Sequence, residues 1–133
     1  MRICAIELKA NNIILVVLNS GEYVDLKIKK ITLEDDEKQE DIRQFCNEFL
    51  HFLEEQNIEK IVVKKRAKKG TFAGGAVTFK MEGLIQLNPH CSVELVSSAT
   101  VNAFNKKNSV DFPKSLNKYQ EQAYLTGLCL IAK

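Results

Sequence analysis

Glu7 interrupts the mostly apolar run RICAIEL at residues 2–8. A carboxylate in such a run is costly unless it is paired or solvated. It has two uses: a charge at a sheet end, facing water or meeting a lysine, or a carboxylate kept for chemistry. A second charged feature lies in the middle of the chain. Lys64, Lys65, Arg66, Lys68 and Lys69 place five cations in six residues, with Lys60 and Lys80 nearby. Such a run can neutralise phosphates or simply form a solvated loop. Phe72 and Phe79 are the aromatic residues close to it, which is thin support for base stacking. Gly70 to Gly75 (GTFAGG) then leads into a helical pattern. Backbone N–H groups at a helix start can hold an anion, although the spacing is not that of a Walker loop. The same glycines equally serve a tight turn or close packing. An acidic run, residues 34–41 (EDDEKQED), offsets the basic one. The two runs make the molecule dipolar if they lie on different faces, and they could also pair between subunits.

The whole-molecule numbers are ordinary. The chain has 133 residues, 45% apolar and 27% charged, with a net charge of +2. That length fits one domain over residues 1–133 with a sizeable core. The net charge does not by itself point to nucleic acid. Cys4, Cys46, Cys91 and Cys129 are scattered, and with His51 and His90 they make no zinc pattern. They read as four small buried thiols in a reducing compartment. Met1 to Leu8 is too short and too soon charged for a signal peptide, and no run approaches a membrane span. The expectation is a cytoplasmic protein with no membrane partner.

Periodicity places these residues on elements. Residues 2–8 read as a strand, followed by turn chemistry at Asn11-Asn12. IILVVL at 13–18 reads as a strand buried on both faces, and Asn19-Ser20-Gly21 as the next turn. Tyr23 to Leu33 reads as a third strand with a bulge near Lys29-Lys30, completing an antiparallel meander. Ile42, Phe45, Cys46, Phe49, Phe52 and Leu53 form one stripe of an amphipathic helix that ends near Gln56-Asn57. Ile58 to Val63 is a fourth strand. A second helix carries Val77, Met81, Leu84 and Ile85 and stops at Asn88-Pro89. Val93 to Val96 is a fifth strand, and Ser97-Ser98 caps a short helix bearing Val101 and Phe104. After a loop over 106–117, Tyr119, Ala123, Thr126, Gly127 and Leu130 share a face of a final helix. The order βββαβαβαα gives a five-stranded mixed α/β sheet, three strands antiparallel and two added by parallel crossovers, with helices on both faces. Ile3, Ala5, Ile14, Val16, Phe45, Phe49, Val62, Met81, Leu84, Leu95 and Leu128 are the expected core.

That order is the ribonuclease H-like one, and local text narrows it. Ile61 to Leu87, Val93 to Lys107 and Gln120 to Ala132 resemble the fourth strand with its following helix, the next strand and capped helix, and the terminal helix of RuvC-type resolvases. MRICAIELK (1–9), ITLEDD (31–36) and KKGTFAGGAVTFKME (68–82) also resemble a family of short bacterial proteins assigned to this fold, which brings no settled activity.

The resemblance to the resolvases implies a site. Nucleases of this fold hydrolyse phosphodiesters with two divalent ions about 3.5–4 Å apart. Carboxylates hold magnesium there, contributed by the first strand, the end of the fourth strand and the last helix. Glu7 matches the first position, one methylene longer than the usual aspartate. The second falls on Lys64 or Lys65, neither acidic. The third falls on Glu121 or Gln122, which point about 100° apart on a helix, so that only one can face the site. An ammonium beside Glu7 would take the charge role of a metal. Three readings follow. One is a degenerate ribonuclease H-like protein, without cofactor, that binds nucleic acid through Lys64, Lys65, Arg66, Lys68 and Lys69, or binds a protein partner. Another is a magnesium-dependent nuclease with a shifted carboxylate set, Glu7 and Glu121 with Glu82 or Glu94. The last is a structural homodimer with no nucleic-acid role.

Overall fold

The computed structural model describes residues 1–70 and 74–133. The described residues form six strands and four α-helices in the order β1 (Arg2–Lys9), β2 (Asn12–Asn19), β3 (Glu22–Val24), β4 (Lys30–Thr32), α1 (Gln39–Glu55), β5 (Lys60–Lys64), α2 (Ala76–Gln86), β6 (Ser92–Val96), α3 (Ser98–Lys107) and α4 (Glu121–Ile131), the last preceded by a 3₁₀ turn at Lys118–Gln120. The sheet runs β3-β2-β1-β5-β6, with β4 also paired to β2. β2 is antiparallel to β1, and β5 is parallel to β1. β6 is parallel to β5, as helix-linked crossovers require. The mixed sheet expected from the sequence is present.

Its edge differs from expectation. The third strand is broken in two, because Asp25 to Lys29 bow away opposite Leu15 and Val16, and of these the Lys29 carbonyl still accepts from the Leu15 N–H at 2.8 Å. The Lys29 ammonium folds back onto its own loop, meeting Asp25 at 3.2 Å and the Leu26 carbonyl. The sheet therefore has six strands, and the interruption is five residues rather than a bulge. The first turn also differs. Ala10, not an asparagine, takes the left-handed conformation, at φ 52°. Asn11 instead donates to the Leu33 carbonyl, and Asn12 accepts from Thr32 at 2.5 Å, so both clasp the β4 strand.

Alternation along the strands divides the core into two faces. Cys4, Ile6 and Leu8 of β1 join Phe45, Phe49, Phe52, Met81 and Ile85 under α1 and α2. Ile3 and Ala5 join Val62, Val96, Val101, Ala123 and Leu125 under α3 and α4. The helix stripes read from the sequence therefore face the sheet, although Leu84, Leu95 and Leu128 are only half-buried. Helix α1 ends where Asn57 turns left-handed at φ 53°. Its N–H and that of Ile58 cap the carbonyls of Glu54 and Leu53. On the second face α4 lies very close to the sheet. A Cβ on Gly127 would stand 2.7 Å from Leu18 Cδ1 and 3.1 Å from Ala5 Cβ. Glycine is thus what lets α4 lie directly on β1 and β2.

Candidate functional site

The parallel register pairs Glu7 directly with Lys64. Glu7 shares the face of Ile3 and Ala5, so its side chain points toward α4. Lys64 is the last residue of β5 rather than the start of a loop. Its Nζ lies 3.9 Å from Glu7 Oε2 and donates a 2.9 Å hydrogen bond to Gln122 Oε1. The side chains of Lys64 and Glu7 are only 16% and 14% exposed. An ammonium thus stands between the carboxylate of the first strand and the amide of the last helix.

The electrostatics follow from this depth. Burial raises the Glu7 pKa above its ordinary value, against the opposing pull of Lys64, Lys9 and Arg66. Burial likewise lowers the Lys64 pKa, with Glu7 opposing and Arg66 reinforcing. Both charged forms pay for desolvation more than they recover from each other. Three cations act on the one carboxylate, so the local balance is positive.

The remaining sequence candidates separate. Lys65 is exposed, and its backbone N–H continues the ladder to the Val96 carbonyl at 2.9 Å. Arg66 is half-buried against Gly74, where a Cβ would come within 2.6 Å of the Arg66 Cβ. Lys68 and Lys69 are exposed. Thr71, Phe72 and Ala73 of the glycine segment lie outside the described residues, whereas Phe79 is half-buried in α2. Of the two adjacent terminal-helix candidates, Gln122 meets Lys64, while Glu121 and Gln122 both line an open depression with Lys9, Asn117, Lys118 and Tyr119. Glu94 stands two strands over from Glu7, beside Val62, and binds Lys133 at 2.5 Å and Lys60 at 3.6 Å. Glu82 belongs to α2, whose buried Met81 and Ile85 pack on the opposite face. Among the described residues, no three of His, Cys, Asp or Glu come together as a group that could hold a metal ion. The four cysteines are free, but only Cys4 and Cys129 are buried as expected, Cys46 and Cys91 being half-buried at the edge of the core, and burial and neighbouring Cys91 push the Cys4 thiol up. Part of the acidic run is tied down within the chain, since Asp36 meets Lys80 at 3.6 Å.

Three residues near this cluster escaped the sequence reading. Lys9 follows Glu7 by two positions, and strand alternation was the signal that put it on the same face. Gln120 is buried. It donates to the Leu15 carbonyl at 3.1 Å and accepts from the Asn117 N–H at 3.0 Å. The Asn117-x-x-Gln120 spacing was its signal. Tyr119 is expected from the sequence to share a face of the last helix with Ala123, Thr126, Gly127 and Leu130. It lies instead in the 3₁₀ turn and is 39% exposed, because three residues of tighter winding precede α4.

The fold has solved counterparts. A structure of Thermus thermophilus RuvC is similar with a TM-score of 0.69 at 10% identity, over 97% of this chain and 92% of that one. T. thermophilus RuvC in complex with a Holliday junction substrate is similar with a TM-score of 0.64 at 13% identity, over 97% and 91%. The architecture is thus that of the RuvC-like, ribonuclease H-like class. The chain belongs to the family described as protein of unknown function DUF3010, which matches residues 1–130. No curated protein matches it at a significant level. Among the described residues, no helix is long and apolar enough to cross a membrane.

Proposed function

We propose that this chain is a RuvC-like protein that binds nucleic acid at the strand ends around Glu7 without cleaving it through divalent metal. The observation that carries this reading is the position of Lys64. Its ammonium contacts both Glu7 and Gln122, two of the positions to which the resemblance to the resolvases assigns carboxylates. Magnesium demands several hard oxygen ligands and gives up its water reluctantly. Here it would find one carboxylate and one amide oxygen, already engaged by an ammonium, with Lys9 and Arg66 adding repulsion. The residues present do not fit a magnesium pair.

The same charges favour an anion. Lys9, Lys65, Lys68 and Lys69 are exposed around or beyond the ends of β1 and β5. Phosphates neutralised by such lysines release counterions, which makes affinity fall steeply with salt. The similar fold of the RuvC structure in complex with a Holliday junction substrate makes nucleic acid the first partner to test.

Labelled single-stranded, duplex and four-way-junction DNA, followed by fluorescence anisotropy, provide that test. If four lysines each neutralise one phosphate, affinity should fall about 50- to 150-fold between roughly 50 and 200 mM salt. None of the probes should be cleaved in Mg²⁺ or Mn²⁺. Absence of binding at the lower salt would refute the binding half of the proposal. Metal-dependent cleavage abolished by Glu7→Gln would refute the other half.

A further inference from the structure

The interruption of the sheet edge and the start of α4 meet at Gln120. Where Asp25 to Lys29 leave the ladder, the Leu15 carbonyl would lack its strand partner, and the buried Gln120 amide supplies the hydrogen bond at 3.1 Å. The Asn117 N–H holds the other end of that amide. With Gln120 fixed inward on a tight 3₁₀ turn, its neighbour Tyr119 is turned out. It is 39% exposed, and Lys30 Nζ stands 6.0 Å from the centre of its ring. Beside it opens a depression of about 700 Å³ bounded by Lys9, Asn117, Lys118, Tyr119, Glu121 and Gln122. Gln122 is also the residue that meets Lys64, and Lys9 acts on Glu7. The depression therefore adjoins the Glu7–Lys64–Gln122 cluster through Gln122.

We infer that this depression is a stacking subsite for an unpaired base of a nucleic-acid strand. The inference rests on the nucleic-acid reading above and names the form of nucleic acid that this part of the site takes. Each component has a matching group in a nucleotide. The partly exposed Tyr119 ring, with the Lys30 ammonium over it, offers the depression a surface on which any base can stack. Lys9, Lys30 and Lys118 suit the flanking phosphates, and Asn117, Gln122 and the Glu121 carboxylate suit the donors and acceptors of a base edge. A base in a closed duplex has its faces covered by its neighbours and cannot use the ring. An acidic peptide could satisfy the lysines but has no planar group for Tyr119.

The test compares a thymidine oligonucleotide of about a dozen residues with a blunt duplex of equal length at the same salt. Because Tyr119 is exposed on a pinned turn, Tyr119→Ala should fold with an unchanged melting temperature. It should weaken single-strand binding about tenfold while leaving duplex binding nearly unchanged, and Tyr119→Phe should retain the parent affinity. An abasic strand should bind the parent and Tyr119→Ala equally. If the parent binds single strands and Tyr119→Ala binds them as tightly, the stacking subsite is wrong and the wider nucleic-acid reading stands. If the parent binds neither probe, the wider reading is what has failed. Tyr119-dependent binding of polyglutamate as tight as that of the oligonucleotide would replace the nucleic acid with a protein ligand.

Discussion

Two carboxylate–lysine clusters share one face of the sheet and behave oppositely. Glu94 of β6 holds Lys133 and Lys60, with its side chain 31% exposed. The hydrogen bond from Lys133 leads the causes that hold its carboxyl below the ordinary value. Glu7 of β1 has Lys64 at 3.9 Å with Lys9 and Arg66 acting on it, yet burial drives its carboxyl the other way. The types of charge are the same, but a short hydrogen bond near the surface lowers one carboxyl, while burial, with Lys64 as far off as 3.9 Å, raises the other. Near the surface an ion pair costs little and contributes little. At 14% exposure, removal of the carboxylate from water outweighs the cations around it. A chain that keeps such a pair bears its cost in stability, which is a common property of sites that act on something else.

The largest expected effect isolates this cluster from the rest of the fold. Phe49 of α1 is buried against the opposite face of the sheet. Phe49→Ala should cost about 3–5 kcal/mol in urea unfolding while leaving the pH response of Glu7 unaltered. A loss under ~1 kcal/mol would mean that this face is not the structural half of the comparison. Next, Lys64→Met strands the Glu7 carboxylate in its half-dry position and should cost about 2 kcal/mol, below the full buried-pair figure because water still reaches it. Lys133→Ala at the shallow cluster should cost no more than about 0.5 kcal/mol. Equal losses would remove the distinction between the clusters.

A smaller effect carries the sharpest sign. Folded Glu7 binds its proton more tightly than unfolded Glu7. Its contribution to stability is therefore present below its ordinary value of 4.5 and lost as the pH rises through the raised folded value. Glu94 does the reverse, contributing above 4.5 and losing that contribution as the pH falls through its lowered folded value. Subtracting the pH–stability curves of Glu7→Gln and of Glu94→Gln from that of the parent, over roughly pH 3–7, should give slopes of opposite sign. Slopes of the same sign would show that depth does not separate the clusters.

Much of this arrangement is legible from residues alone. Continuous apolar runs mark β1 and β2 as central strands, and the Phe45–Phe49–Phe52 stripe marks α1. The break between β3 and β4 is only half legible, since Lys29-Lys30 interrupts the alternation of Tyr23 to Leu33 but only the folded loop shows how far the chain departs and Lys29 turning back on Asp25. In the site, a charge inside an apolar strand singles out Glu7. The choice between Lys64 and Lys65 depends on where β5 ends, one residue later than its apolar text suggests. The choice between Glu121 and Gln122 depends on the 3₁₀ turn, which sets the rotation of α4 and which no periodicity records. Gln120 and Tyr119 depend on that same turn, so they were the residues misread or missed.

The central claim is that the Lys64 ammonium fills the charge role of a metal between Glu7 and Gln122. Thermal unfolding in about 10 mM Mg²⁺ or Mn²⁺ addresses it directly, because a ligand at ten times its dissociation constant stabilises by about 1.4 kcal/mol, a shift of several degrees. The parent should melt at the same temperature with or without metal. Lys64→Glu combined with Gln122→Glu, which surrounds the site with three carboxylates, should gain that shift. Metal-dependent stabilisation of the unaltered protein, lost in Glu7→Gln, would contradict the account.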